Sequence, residues 1–199
     1  MQAAVHQYVR IDTEDYIRGG TPSAVQSAMS DQSQHSDDAI GAIARFSEFF
    51  NKQGWGYRQD PDKPVIHTGF SGDNGRWQCV AVAGPQDAHL LFLSLLPSKA
   101  PAHRRTACAE LLMRINFGLA LGCFEMDFED GEIRFRTSIP LASEDVLLDV
   151  VEHLVFSNLS TVDRLFGTIM KVIYAEVSPK AALGPEPAKN TSTPRFELN

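Results

Sequence analysis

Apolar residues recur along this chain at two spacings, and the change from one spacing to the other marks the predicted elements. Four stretches carry apolar residues every three or four positions, which is the period of a helix with one buried face. The stretches between them alternate apolar and polar residues or are apolar almost throughout, as strands are. The pattern predicts the order α-β-β-β-α-β-β-α-α, without an internal repeat.

Residues typical of helix caps set the predicted helix boundaries. Asp38 or Ser36 can cap the first helix, and Ser143 can cap the helix that follows the last strand. Residues 160–163 resemble a further cap. We therefore predict a bend at residues 157–159 and a separate final helix beyond it.

Three strands are predicted between the first two helices. The first begins at residues 55–58, is interrupted by two prolines and resumes over residues 65–70. The second covers residues 76–83. The third, residues 88–96, is apolar at almost every position and is therefore expected to be central in the sheet.

Residues 124–137 predict a β-hairpin. Asp130-Gly131 favours a two-residue type I′ turn, in which both residues need a positive φ. That turn would place four pairs opposite one another: Phe128 with Ile133, Met126 with Phe135, Asp127 with Arg134, and Glu125 with Arg136. One face of the hairpin is then apolar and the other is paired by charge, with no catalytic or ligand-binding set on either.

The composition is that of a globular protein: 199 residues, 43% hydrophobic and 22% charged, with a formal net charge of −7. Nucleic-acid binding requires clustered lysine and arginine, so this balance argues against it. No stretch approaches the ~18 consecutive apolar residues of a membrane span. The first residues lack a basic cap followed by an apolar run, so we expect a cytoplasmic protein.

The distribution of small, polar and proline residues predicts three regions. Residues 1–38 form a flexible extension, in which the segment Val5–Ile17 carries enough apolar residues to dock on its own domain or on a neighbour's. Residues 39–177 form the folded α+β domain. Residues 178–199 contain four prolines among small and polar residues and are predicted to be a disordered tail.

We predict neither a catalytic site nor a metal or cofactor site. The histidines His67, His89, His103 and His153 lack the spacing of zinc ligands, and no nucleophile motif is present. The acidic residues between 125 and 132 are expected to pair with Arg134 and Arg136 rather than to bind calcium. Cys79, Cys108 and Cys123 form an odd set without a Cys-x-x-Cys motif, so they are expected to be reduced core residues.

Two sets of residues carry a resemblance to a known family. The first closes the second helix and forms the hairpin: Leu112, Asn116, Gly118, Phe124-Glu125, Asp130-Gly131 and Arg134-Phe135-Arg136. The second is the final helix: Thr161-Val162-Asp163-Arg164-Leu165-Phe166 through Ile169-Met170-Lys171-Val172-Ile173. Together with the element order, they resemble the YbjN-like domain family of bacterial sensory-transduction regulators over about residues 40–177.

This family is similar in architecture to the type III secretion chaperones, which dimerise and hold an extended segment of another protein. The resemblance implies a non-enzymatic, protein-binding domain with an antiparallel sheet of about five strands packed by helices. It supplies no catalytic residue. The long extensions at both ends depart from the secretion chaperones, which puts a secretion role in doubt.

Apolar surface beyond the needs of one core is the main indication of function. We expect part of it to form a homodimer interface or a groove for a partner protein, and the candidate residues are Leu91, Leu93, Leu95, Leu111 and Ile115. A partner could add a strand to a sheet edge or lie in an apolar groove. Two alternatives remain open: a small-molecule sensor or enzyme with a pocket between sheet and helices, and a structural subunit of a larger assembly.

Overall fold

A computed structural model of the protein describes residues 32–61, 63–84, 89–140 and 148–184, with only the backbone described for residues 32–40, 42 and 84. The described chain is an α+β fold, as predicted. Its sheet is antiparallel throughout and has six strands in the order β1-β2-β3-β4-β6-β5. The strands are β1 (Arg58–Gln59), β2 (Val65–Ser71), β3 (Arg76–Gly84), β4 (His89–Leu95), β5 (Cys123–Met126) and β6 (Ile133–Pro140).

The sheet has one strand more than predicted, because the stretch that was predicted as one interrupted strand forms two strands, β1 and β2. These two strands pair with each other, with Arg58 opposite His67. The chain reverses between them because the Asp60 carboxylate accepts a hydrogen bond from the Lys63 backbone N–H at 3.1 Å, and the Asp60 N–H donates to the Val65 carbonyl at 2.9 Å. The prolines therefore mark a turn between two strands, which the sequence pattern alone did not separate.

Within the described ranges four α-helices accompany the sheet: α1 (Gln32–Gln53), α2 (Arg105–Asn116), α3 (Leu148–Tyr174) and α4 (Pro179–Leu183). A short 3-10 helix, Ala102–Arg104, precedes α2. Helix α1 begins ahead of the predicted caps at Ser36 and Asp38, and Ser143 lies outside the described residues. The apolar faces of α1, α2 and α3 share one core with alternate residues of the strands, among them the fully buried Phe46, Phe92, Leu111 and Phe135. These helices therefore cover one face of the sheet, which we call the inner face.

The predicted bend at residues 157–159 is wrong, because α3 continues unbroken from Leu148 to Tyr174. Asp163, the last residue of the stretch that suggested a new cap, instead caps the turn between β2 and β3. Its carboxylate accepts the backbone N–H groups of Asn74 at 2.9 Å and Asp73 at 3.2 Å. The N–H groups that Asp163 satisfies therefore belong to a turn about ninety residues away in sequence and not to a new helix.

The hairpin forms in a register different from the predicted one. Met126 lies opposite Ile133 and Glu125 opposite Arg134, so the pairing is displaced by two residues. Because the displacement is even, each paired residue keeps its predicted face of the sheet. Phe128 does not: it leaves the strand and exposes 58% of its surface.

The connecting loop explains the register. The carboxylates of Asp127 and Asp130 accept the N–H groups of Glu129 at 2.7 Å and Glu132 at 2.8 Å, and these bonds stabilise a loop longer than two residues. Gly131 alone in the loop has a positive φ, of 82°, and its carbonyl accepts the Ala100 N–H at 2.7 Å. Contact with the segment before α2, absent from a local turn rule, therefore selects the longer loop.

Residues 178–184 begin the region predicted as a tail, yet they hold the short helix α4. Ser178 caps it by accepting the Ala181 N–H at 3.3 Å, and Pro179 is buried. Arg104, just before α2, fixes the end of α3 by donating to the carbonyls of Val172 and Val177, each at 2.9 Å.

Candidate protein-binding face

Strand alternation places a second set of side chains on the sheet face opposite the helices, which we call the outer face. The pairing register arranges them in three rows across the strands: Val65, Val82, Leu91 and Ser138; then Arg58, His67, Val80, Leu93, Arg136 and Cys123; then Gly69, Gln78, Leu95, Arg134 and Glu125. The valines and leucines of these rows lie on β2, β3 and β4, with His67 and Gln78 among them, and the charged residues Arg134, Arg136 and Glu125 lie on β5 and β6.

The apolar part of this face forms a cluster separate from the main core. We call it the outer cluster; its members are Val65, Val80, Val82, Leu93 and Leu95. No residue of the described helices belongs to it. Even so, Val65 exposes only 4% of its surface, and Val80 and Leu93 only 3% each.

Two arginines border the outer cluster. Arg136 lies opposite Leu93 and Arg134 opposite Leu95. Both donate to the Glu125 carboxylate, Arg136 from Nε at 2.7 Å and Arg134 from Nε at 2.8 Å. Glu125 thus holds both guanidinium groups at this border of the outer face.

The environment of Glu125 keeps this carboxylate ionised. Its partial burial opposes ionisation, but the hydrogen bonds from Arg136 and Arg134 outweigh that effect and hold its pKa below the ordinary value. Arg136 also donates to Ser138 Oγ at 3.2 Å. The arginine border is thus held in a fixed geometry by several bonds.

His67 lies beside the outer cluster, between Arg58 on β1 and Val80 on β3. It exposes 8% of its surface. Burial and the neighbouring Arg58 charge lower the pKa of His67, and Asp60 only partly opposes them. The imidazole is therefore expected to be neutral at physiological pH.

The structure divides the five residues that the sequence singled out for protein binding. Leu91, Leu93 and Leu95 lie together on the outer face. Leu111 and Ile115 point into the main core and expose 0% and 7% of their surface. The basic border and the valines of the outer cluster were not singled out, although strand alternation in residues 65–70 and 76–83 would have placed them beside the leucines.

The inner face holds a polar network that the sequence analysis missed. Ser94 Oγ donates to Asn158 Oδ1 at 2.6 Å and accepts from Trp77 Nε1 at 2.9 Å. Asn158 Nδ2 contacts the carbonyls of Phe92 at 3.0 Å and Phe135 at 3.2 Å. In the described part of the chain no buried side-chain nitrogen or oxygen lacks a partner. The network therefore ties α3 to the sheet and presents no group aimed at a ligand.

The cysteines are free thiols in surroundings that suppress ionisation. Burial raises the pKa of Cys79 to about 12, against a lowering by hydrogen bonds with Ser94 and Trp77. Burial also raises the pKa of Cys108 and of Cys123. A thiolate is the reactive form of cysteine, so these residues are poor nucleophiles.

Other chemistry was sought in the described ranges. They contain no group of three or more histidine, cysteine or acidic side chains placed to hold a metal ion. None of their helices is long and apolar enough to cross a membrane.

A second apolar surface lies at the end of α2. Met113 and Phe117, one helical turn apart, expose 69% and 96% of their surface. Arg114 on the same helix pairs with Glu110 at 2.8 Å. This surface is distinct from the outer face because α2 packs on the inner face of the sheet.

Solved structures similar to this chain include YbjN from E. coli, described as a "putative transcription regulator", at 12% identity and a TM-score of 0.47, covering 67% of this chain and 90% of that one. The HopA1-SchA chaperone-effector complex gives 14% identity and a TM-score of 0.43, covering 61% and 90%. The ExoT-SpcS complex from Pseudomonas aeruginosa gives 15% identity and a TM-score of 0.41, covering 64% of this chain and 96% of that one.

No curated protein matches the chain in sequence. The model of the YbjN family, whose description reads "Putative bacterial sensory transduction regulator", matches residues 42–170. That span includes the whole sheet, α2 and most of α3. The chain belongs to the YbjN family.

Proposed function

We propose that this protein is a non-enzymatic regulatory or chaperone-like module of the bacterial cytoplasm that binds a segment of a partner protein on the outer face of its sheet. The observation that carries the proposal is the outer cluster, a continuous apolar area to which the described helices contribute nothing. Membership in a family described in terms of signal transduction supports a regulatory role.

The dimensions of the outer face suit an extended polypeptide. Neighbouring strands lie about 4.8 Å apart and alternate residues of a strand about 6.7 Å apart. The outer cluster therefore extends about 10 Å across β2, β3 and β4. Together with Leu91, which lies on the same face of β4, its leucines extend about 13 Å along that strand. An extended segment of about five residues covers that length.

The charge beside the cluster selects among such segments. Arg134 and Arg136 both pair with the carboxylate of Glu125. A partner segment that combines β-branched or aromatic residues with nearby aspartate or glutamate would fill the cluster and complement the arginine border. Charge complementarity of this kind contributes mainly to specificity and to the rate of association.

Selection of short random peptides by the full-length protein tests this proposal. We expect the selected peptides to be rich in apolar and acidic residues. The double substitution L91D/L95D should abolish their binding. V150D/L183D adds the same charge at two other exposed apolar residues, which are 40% and 41% exposed, and should leave binding intact. Equal binding by both variants would reject the outer face as the site.

We further propose that the protein is a homodimer formed through the exposed end of α2. Met113 and Phe117 provide an apolar contact that a second copy can match by two-fold symmetry. Light scattering should give the dimer mass for the wild type and the monomer mass for F117E. A wild-type monomer at all concentrations would reject this part of the proposal.

A further inference from the structure

We infer that the segment Val5–Ile17 of this same chain occupies the outer face when no partner is bound. The inference deepens the proposed function and rests on the same face. It starts from the low exposure of the outer cluster. Val80 and Leu93 expose only 3% of their surface each, although the cluster contains only strand residues among those described. Side chains on a sheet face reach such low exposure when another layer packs on them.

The chemistry of Val5–Ile17 matches this face. Val9, Ile11 and Thr13 are β-branched and alternate, so an extended segment would present them on one side. The segment also contains three acidic residues, Asp12, Glu14 and Asp15, against a single arginine. It therefore carries a net negative charge, and Asp15 shares the side of Val9, Ile11 and Thr13, where it can pair with the arginine border of the outer face.

The connection to α1 is long enough for this docking. Helix α1 begins at Gln32, which leaves fourteen residues, 18–31, between it and the segment. Fully extended they span about 45 Å, and as a flexible chain about 20 Å. Passing from the helix layer around the sheet edge to the outer face requires about 20 Å, since packed layers lie about 10 Å apart.

Docking of this segment would make the protein autoinhibited. A tether of this length gives an effective concentration in the millimolar range, so even a weak contact would be largely formed. A partner must then displace the segment, and its apparent affinity falls by the fraction of molecules whose face is open. Partner binding would release residues 5–17.

Trypsin provides a test within the full-length protein, because Arg10 lies in the segment and Arg18 lies just beyond it. Each cleavage rate is divided by that of a free synthetic peptide of the same sequence. We expect cleavage after Arg10 to be at least about tenfold slower than in the free peptide, and cleavage after Arg18 to be little slowed. The protection should be independent of protein concentration.

Two variants locate the contact from its two sides. L91D/L95D on the outer face and V9D/I11D in the segment should both remove the protection of Arg10, whereas V150D/L183D should retain it. The substitutions V9D/I11D lie outside the residues 42–170 that the family model matches, so their result stands even if L91D/L95D fails to fold. Unprotected Arg10 in the wild type, or protection that survives V9D/I11D, would overturn the inference.

The outcomes also separate this inference from the proposed function. Peptides that bind the outer face while Arg10 is cut freely would sustain the proposed function and reject the self-docking. If Arg10 is protected in the wild type but no selected peptide binds the V9D/I11D protein, the self-docking would be sustained and the proposed function rejected. Protection that rises with protein concentration would place the segment on a second copy and reject docking within the chain.

Discussion

Ser94 Oγ donates a hydrogen bond to Asn158 Oδ1 at 2.6 Å, which joins the central strand β4 to the middle of α3. Both side chains are fully buried. The bond fixes how α3 lies on the sheet, because a buried polar pair can be satisfied in only one register. The helix layer is thereby held on the inner face of the sheet.

Asn158→Ala is expected to destabilise the protein by about 3 kcal/mol, since it leaves a cavity and removes the partner of Ser94 and of two strand carbonyls. Urea denaturation measures the change. Ser157→Ala, at the neighbouring and half-buried position, should change stability by less than about 0.5 kcal/mol. A similar change in the free energy of unfolding for the two variants would mean that the buried network does not stabilise the protein.

Asp163→Ala should cost about 1 kcal/mol, because the turn at Asp73 and Asn74 loses the acceptor of its backbone N–H groups. Asp163→Asn keeps an oxygen acceptor and should recover most of the loss. Thermal unfolding compares the two. If the asparagine variant is as unstable as the alanine variant, the capping explanation fails.

Gly131→Ala and Gly167→Ala should have opposite effects. At Gly131 a Cβ atom would lie 2.0 Å from the Ala100 carbonyl oxygen, and φ is 82°, so we expect a loss of more than about 2 kcal/mol. Gly167 lies within α3 and a Cβ atom there meets nothing within 4 Å. Its replacement should stabilise the helix by about 0.5–1 kcal/mol.

This pair is measured by chemical denaturation of both variants beside the wild type. The change in the free energy of unfolding should have opposite signs for the two variants, because only Gly131 lies in the hairpin loop that packs on Ala100. A harmless Gly131→Ala substitution would show that the hairpin does not use the longer loop docked on Ala100.

The hairpin also shows what could be predicted from the sequence and what could not. Alternation assigned Phe124, Met126, Ile133 and Phe135 correctly to the buried face, because a displacement of two residues leaves the faces unchanged. The register itself depended on Ala100, which is distant in sequence, and a turn rule does not include such contacts. Asn158 was missed for a similar reason: at its place in the apolar stripe of α3, only tertiary partners make a buried amide favourable.

The sequence identified some residues of the candidate face but could not show which face of the sheet they occupy. The apolar run 88–96 identified Leu91, Leu93 and Leu95, but a run that is apolar at every position cannot show which alternate residues face the helices. Helical spacing identified Leu111 and Ile115 as apolar, and these two belong to the core. Choosing between the two faces required the positions of the helices.

Stability should fall as the pH is lowered through the ordinary histidine pKa of 6.5. Burial and Arg58 depress the pKa of His67 in the folded state, so between the two pKa values the unfolded chain binds a proton that the folded chain does not. The stabilisation is therefore present above pH 6.5 and is lost toward the lower folded pKa. Urea unfolding between pH 8 and pH 5 should show this loss for the wild type.

His67→Gln cannot titrate and should lose less stability than the wild type over that range. His103→Gln, at an exposed histidine, serves as the control and should follow the wild type. Identical pH dependence in all three proteins would contradict the assignment of the effect to His67.

The most direct test of the outer face is the affinity of a labelled peptide of residues 5–17 for the full-length V9D/I11D protein, measured by fluorescence anisotropy. The account predicts saturable binding that weakens with added salt and is abolished when L91D/L95D is introduced. Absence of binding, or binding that L91D/L95D leaves unchanged, would contradict the claim that this face holds the segment Val5–Ile17.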